Sequence, residues 1–150
     1  MADNLSPEVR SRIMSSIRSK NTKPEVYFRK LLFMDGYRYR LHSKSIPGHP
    51  DIWLRKYNTA IFVNGCYWHR HQGCKYTTTP ASRIEYWNKK FEDNVERDKR
   101  TKLDLERLGI KCIVLWECTI RVMQKDPEIA RSVMDEVKSF FDSTEQYVEL

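Results

Sequence analysis

Positions 62–74, Phe62-Val63-Asn64-Gly65-Cys66-Tyr67-Trp68-His69-Arg70-His71-Gln72-Gly73-Cys74, bring metal-type ligands, adjacent aromatics and a titratable imidazole into one short stretch. Two of the chain's four cysteines and two of its four histidines fall here. The run before it, Thr59-Ala60-Ile61-Phe62-Val63, is apolar enough to be a buried strand. The cluster therefore occupies the point where a strand gives way to a loop, which is where α/β proteins usually carry their chemistry.

Cys66, His71 and Cys74 have the short spacing with which one loop wraps a tetrahedral ion. A fourth ligand must come from elsewhere, and Cys112 and Cys118 are the candidates. Both have the same parity on the strand predicted near residues 110–116, so alternation does not choose between them. Cys112 lies inside that apolar run, whereas Cys118 stands at its end, where a loop ligand can reach. Cys118 is therefore the expected fourth ligand and Cys112 an ordinary buried thiol. Four protein ligands close the shell, which makes the expected Zn²⁺ structural. The competing account is a scatter of core cysteines, against which the local spacing weighs.

The rest of the chain alternates helix and strand signals. Ser6-Pro7-Glu8 starts a helix to about Lys20, with Val9, Ile13, Met14 and Ile17 on one face. Thr22-Lys23-Pro24-Glu25 has capping-box spacing and opens a second helix, with Val26, Phe28, Leu31, Leu32 and Met34 as its core face and Gly36 as its stop. Residues 37–41 alternate as a half-buried strand, positions 46–50 must be a loop, and 51–57 resume an extended pattern that Asn58 turns into the strand before the cluster. Three strands with short connections predict an antiparallel meander. Helical stretches follow over about 80–91 and 95–108, then a buried strand over 110–116 ending at Glu117-Cys118, and a last amphipathic helix from Pro127 to Phe141 with a ragged tail. The expectation is one α/β domain of a size that holds its own core.

A net charge of +7 points toward a polyanionic partner. Arg83, Lys89, Lys90, Arg97, Lys99, Arg100, Lys102 and Arg107 crowd one helical region; alone, such a run is most simply a solvated face. No apolar run approaches the roughly 20 residues of a membrane span, and the first residues lack a signal-peptide pattern. A cytoplasmic location is expected, where clustered Cys and His more often hold metal than form disulfides.

Pro50-Asp51, the following Phe62-Val63-Asn64 and the upstream Glu25 suggest a nuclease core, in which a strand carboxylate and groups on the next strand hold Mg²⁺ against the scissile phosphate. Four motifs in order extend this: Pro47-Gly48-His49-Pro50-Asp51, Gly65-Cys66-Tyr67-Trp68-His69, Asn94-Val95-Glu96-Arg97-Asp98 and Trp116-Glu117-Cys118. Together they closely resemble the very-short-patch-repair (Vsr) DNA mismatch endonucleases, over roughly residues 8 to 125. The resemblance implies a restriction-endonuclease-like core, with a central mixed sheet flanked by helices and a structural zinc site. It implies a single endonuclease domain over 1–150, whose N-terminal helix at about 6–20 is a DNA-contacting arm. It also implies Mg²⁺-dependent nicking 5′ of the thymine in a T:G mismatch within a methyltransferase recognition site. Such an enzyme is bacterial, works at the nucleoid, acts as a monomer and has other DNA repair proteins as potential partners.

Residue by residue, Asp51 matches the family's metal-binding aspartate, and Val63 the position offering a main-chain carbonyl to Mg²⁺. His69 matches the catalytic histidine, and Glu25 and Asp98 match acidic residues that hold water near the metal. Cys66, His71, Cys74 and Cys118 match the zinc ligands, although the loop is one residue longer before its second cysteine. Tyr67, Trp68 and Trp87 match aromatics that wedge into the duplex, where stacking contributes about 1–3 kcal/mol per base. Met14 matches a residue that meets DNA from the opposite groove. Asn64 is the departure: it stands where the best-known members carry a second active-site histidine, and an amide does not exchange a proton at neutral pH. The alternatives are a restriction-type nuclease cutting matched duplex and a non-catalytic zinc-bearing DNA-binding module.

Overall fold

A computed structural model describes residues 20–150 together with positions 6 and 8; the helix expected over 6–20, with Met14, lies outside the described residues. In chain order the elements are α1 (Lys23–Met34), β1 (Arg40–Leu41), β2 (Ile52–Leu54), a single 3₁₀ turn (Arg55–Tyr57), β3 (Thr59–Asn64), α2 (Ile84–Arg107), β4 (Lys111–Trp116), α3 (Glu117–Lys125), α4 (Pro127–Asp142) and β5 (Tyr147–Glu149). The strands form one sheet in the order β1-β2-β3-β4-β5. β1, β2 and β3 pair antiparallel, as the meander predicts, while β4 runs parallel to β3 and β5 parallel to β4. The result is a mixed sheet with flanking helices, an α/β architecture.

Alternation divides the sheet into two faces. Ile52, Leu54, Ile61, Ile113 and Leu115 meet Phe28 and Leu32 of α1, Ile120 and Met123 of α3, and Val133, Val137, Phe140 and Phe141 of α4. Each fully buried side chain of this size contributes about 1.5–3 kcal/mol of transfer free energy. The opposite face carries Trp53, Ala60, Cys112, Val114 and Trp116, covered by Leu105 of α2 and by Cys66. Covered on both sides, β4 is buried at every position, as a parallel strand in a layered sheet should be. Because β3 and β4 are parallel, both chains leave the sheet at the same edge, and the loop at 65–83 and α3 begin side by side there.

Several expectations need correction. The two helical stretches over 80–91 and 95–108 are one continuous helix that starts only at Ile84; its polar residues lie outward and Trp87, Phe91 and Leu105 inward, so no break is needed. The strand expected at 37–41 pairs only at Arg40 and Leu41. Its alternation is nonetheless real, since Tyr37 and Tyr39 pack on the core. Residues 55–57 turn rather than extend. Met34 is 79% exposed and is not a core residue, because the last turn of α1 projects past the sheet. The tail adds a strand: Leu150 N–H donates to Val114 C=O and Trp116 N–H to Leu150 C=O. Finally, Glu117-Cys118 is the first turn of a helix rather than a loop. Among the described residues no helix is long and apolar enough to cross a membrane.

Candidate metal and DNA-cleavage site

At the shared edge of β3 and β4 the chain turns back on itself: His69 N–H donates to Gly65 C=O and His71 N–H to Cys66 C=O. Thr77 Oγ1 ties the far side of the loop to the carbonyls of His71 (2.7 Å) and Cys66 (3.3 Å). Cys118, on the first turn of α3, aims its N–H at Cys66 Sγ from 3.4 Å. A helix N-terminus favours negative charge on that sulfur. Cys118 Sγ lies 3.5 Å from His71 Nδ1, and the His71 ring stacks on Trp116 at 4.1 Å, which fixes its orientation.

The ligand atoms of Cys66, His71, Cys74 and Cys118 all lie within 4.8 Å of one another. A tetrahedral ion with bonds of about 2.3 Å spaces its sulfur ligands about 3.8 Å apart, so three sulfurs and one imidazole here fit such an ion. The longer loop does not displace His71 from the set. Cys112 stays apart on β4, where burial pushes its thiol up to about 12.

A second cluster lies in a cleft of about 1230 Å³ lined by Asp51, Val63, Asn64, His69 and Arg97, among others. Asp51 precedes β2, and its Oδ2 accepts the Val63 N–H at 2.8 Å. Lys111 N–H bonds Asn58 C=O, so the even positions of β3 face β4, and Val63 turns both its N–H and its C=O toward Asp51. Glu25 is 1% exposed. Its carboxylate takes Arg29 Nη1 at 2.7 Å, Asn21 N–H at 3.2 Å and His42 Nε2 at 3.1 Å from both oxygens. Thr22 Oγ1 does accept the Glu25 N–H. The return half of the capping box goes to Asn21 instead of Thr22, and the Glu25 carboxylate lies beside His42 and Asp51. Burial pushes Asp51 up to about 7; the Val63 N–H opposes that shift, and the neighbouring Glu25 carboxylate adds to it. Glu25, His42 and Asp51 each bring a ligand atom within 4.8 Å of the others. A buried and a partly buried carboxylate this close fit a divalent cation.

His69 extends from the zinc-type loop toward α2, where its Nδ1 meets Asp98 Oδ2 at 2.7 Å. Among the described contacts, Asp98 therefore serves the imidazole rather than the Asp51–Glu25 pair. Asn64 is buried at the end of β3 and lines the same cleft. The aromatics form one packed group: Tyr67 meets Trp68 edge-on at 5.1 Å, Trp68 lies 6.0 Å from Trp87, and Trp87 lies 6.1 Å from Phe91. Tyr67 and Trp68 are half-buried and Trp87 only 7% exposed, so Trp87 backs Trp68 rather than presenting itself. The Arg70 guanidinium lies 4.1 Å over Phe91, and Lys90 rides over both tryptophans. Arg83, Lys89, Lys90, Arg97, Lys99, Arg100 and Lys102 of the α2 region are exposed, as a phosphate-facing surface requires.

Sequence reasoning missed His42 and Arg29, which hold Glu25. Glu25 and His42 are 17 positions apart and share no motif. The available signal was only that His42 is one of four histidines.

Known proteins resemble this chain over most of its length. The family profile for the DNA mismatch endonuclease Vsr matches residues 2–75. The chain is 42% identical over 135 residues to the Type II nicking enzyme V.XorIIP of Xanthomonas oryzae pv. oryzae, covering 90% of this chain and 98% of that one. It is 44% identical over 121 residues to the Type II nicking enzyme V.NmeAIP of Neisseria meningitidis serogroup A, covering 81% and 86%. It is 38% identical over 125 residues to the DNA mismatch endonuclease Vsr of Escherichia coli (strain K12), covering 83% and 80%.

Proposed function

The chain belongs to the DNA mismatch endonuclease Vsr family, and from that premise we propose that this DNA endonuclease nicks one strand on the 5′ side of the thymine in a T:G mismatch. The mismatch arises by deamination of 5-methylcytosine within a methyltransferase recognition site, and the nick opens very short patch repair in the cytoplasm, at the nucleoid. One restriction-endonuclease-like domain acting as a monomer suffices, because only one strand is cut. The observation that carries the reading is the single cleft lined by both Asp51 and His69, one bonded to Val63 and the other to Asp98.

Asp51, with the Val63 carbonyl beside it and Glu25 opposite, would hold Mg²⁺. Bound there, Mg²⁺ supplies Lewis acidity to the scissile phosphate and orients the attacking water. His69 donates Nδ1–H to Asp98, which leaves the Nε2 lone pair facing the cleft to accept a proton. Asn64 hydrogen-bonds phosphate or water without exchanging a proton. Cys66, His71, Cys74 and Cys118 would hold a structural Zn²⁺ that locks the loop carrying Tyr67, Trp68 and His69. Tyr67 and Trp68, backed by Trp87, would stack against the opened mismatch, where unpairing a T:G step costs less than unpairing a matched one.

The test uses end-labelled duplexes carrying T:G or C:G in varied flanking sequence, with Mg²⁺. A nick on the thymine strand alone supports the proposal. Cutting of matched duplex would point to a restriction-type nuclease, and binding without cutting to a DNA-binding module. Asp51→Ala should abolish cleavage and leave DNA binding; undiminished nicking would overturn the assignment of Asp51.

A further inference from the structure

His42 touches both Glu25 and Asp51, and the reaction described above gives it no task. Its Nε2 lies 3.1 Å from each oxygen of Glu25. Its main-chain N–H donates to the Asp51 carbonyl at 3.2 Å. One residue is thus tied through its side chain to the Glu25 carboxylate and through its backbone to the Asp51 main chain. The anchoring is strained: His42 has φ of 49°, a left-handed conformation that disfavours side-chain-bearing residues and persists only where its surroundings impose it. The His42 side chain is 15% exposed and lines the same cleft as Asp51 and His69. Arg29 bonds Glu25 Oε2 at 2.7 Å. That ion pair supplies one positive charge to a site with two carboxylates, which leaves negative charge that a cation would offset.

We propose that His42 is a direct ligand of the cation held at Asp51 and Glu25, so that two carboxylates and one imidazole bind the ion and the site favours Mn²⁺ or Co²⁺ over Mg²⁺. The proposal rests on the reading that Asp51 holds the catalytic cation. Spacing supports it: six-coordinate ligands about 2.1 Å from an ion stand about 3.0 Å from their neighbours, and His42 Nε2 is 3.1 Å from Glu25. Ligand chemistry supplies the selectivity. Mg²⁺ takes oxygen almost exclusively, whereas imidazole suits the later first-row ions, and affinity at mixed N/O sites rises from Mn²⁺ to Co²⁺. If His42 merely hydrogen-bonds Glu25, its nitrogen carries no bond to the ion.

Pulsed electron paramagnetic resonance of Mn²⁺ on the full-length, zinc-loaded protein separates these cases, because a directly bound ¹⁴N modulates the echo. Wild-type protein is expected to show that coupling, and His42→Gln to lose it. His49→Gln and His69→Gln, which alter the other imidazoles of the cleft outside the zinc-type cluster, are expected to keep it. Calorimetry should show Mn²⁺ affinity falling roughly tenfold or more in His42→Gln, with a smaller loss for Mg²⁺. The proposal is overturned if wild-type protein shows no nitrogen coupling, or if His69→Gln rather than His42→Gln removes it. Asp51→Asn distinguishes the deeper failure. If that variant loses Mn²⁺ binding while nitrogen coupling is absent, the cation reading stands and His42 is a positioning residue. If Asp51→Asn binds Mn²⁺ as wild type does, the cation reading fails and the His42 assignment fails with it.

Discussion

His69 Nδ1 and Asp98 Oδ2 are joined at 2.7 Å across 29 positions of sequence, tying the loop after β3 to the middle of α2. Both side chains are partly exposed, so the contact contributes little to stability. Its consequence is orientational, since it fixes the tautomer and the direction of the imidazole.

Asp98→Asn should therefore lower nicking with little change in melting temperature. Proton-transfer groups typically contribute about 10²–10⁴-fold, and loss of the orienting partner should cost at least about tenfold of that. Single-turnover cleavage of a T:G duplex, paired with thermal melting, checks both halves. A large fall in melting temperature with unchanged cleavage would make Asp98 a structural residue.

Asn64 tests the family departure in the opposite direction. It lies buried at the end of β3 and lines the cleft with His69. Asn64→His puts an imidazole of similar size where the amide stands. The expected result is faster single-turnover nicking, roughly tenfold or more, with a new acid limb in the pH profile. An unchanged rate would mean that His69 alone carries the proton.

Asp51 makes stability depend on pH. Its carboxyl in the folded protein titrates at about 7 against an ordinary 3.8, so the folded chain binds the proton more tightly than the unfolded one. The associated stability is fully present below about pH 4 and is lost as pH rises to about 7, at no more than about 1.4 kcal/mol per pH unit. Divalent cation competes with that proton. Its affinity should therefore climb from pH 5.5 to 7.5 and level off above, with proton release on binding measurable by calorimetry in buffers of different ionisation enthalpy. Asp51→Asn should flatten this segment of the stability profile.

How far the chain could be read in advance follows from where each signal sits. The strand pattern at 59–63 and the spacing of Cys66, His71 and Cys74 are local, so the meander and three members of the cysteine–histidine cluster were legible. Cys118 was identified by position although its local structure was misjudged, because a helix starting directly from β4 leaves no loop residue to signal it. The pairing of β5 was hidden: a three-residue strand containing Tyr147 and Glu149 carries no apolar run, and its ladder with Val114 is tertiary. The continuity of α2 was hidden for a related reason. Its charged outer face interrupts the apolar periodicity that Trp87, Phe91 and Leu105 maintain beneath it. Glu25 was visible as a capping residue, whereas its bonds to His42 and Arg29 depend on how α1 docks beside Asp51.

Lys111 tests a contact away from the cleft. Its ammonium is buried and donates to the carbonyls of Phe140, Phe141 and Ser143, closing the C-terminal end of α4. Carbonyls at a helix end have no partner one turn on, and that of Phe140 also accepts the Ser143 N–H and Oγ. Lys111→Met keeps the stem packed but removes the donor, and leaving buried acceptors short costs about 1–3 kcal/mol. For a chain of this size that is about 2–4 °C of melting temperature per kcal/mol, with cleavage per folded molecule unchanged.

On the proposed reading, zinc removal should separate the two candidate metal sites. The sheet has its own core on the α1–α3–α4 face, whereas in the loop at 65–79 the four convergent ligand atoms join segments that Thr77, Arg70, Asn94 and Asp98 also tie by side-chain hydrogen bonds. Chelation followed by Mg²⁺ alone should therefore leave most secondary structure in place and still fail to restore nicking, because the loop that carries Tyr67, Trp68 and His69 has lost its clamp. Zn²⁺ added back should recover it. Cys74→Ser should reproduce the loss with reduced zinc content. Cys112→Ala, which removes a thiol of the second core outside the cluster, should keep one zinc per chain and most of the activity. Full nicking by zinc-free protein supplied only with Mg²⁺ would show that the loop holds its shape without the ion.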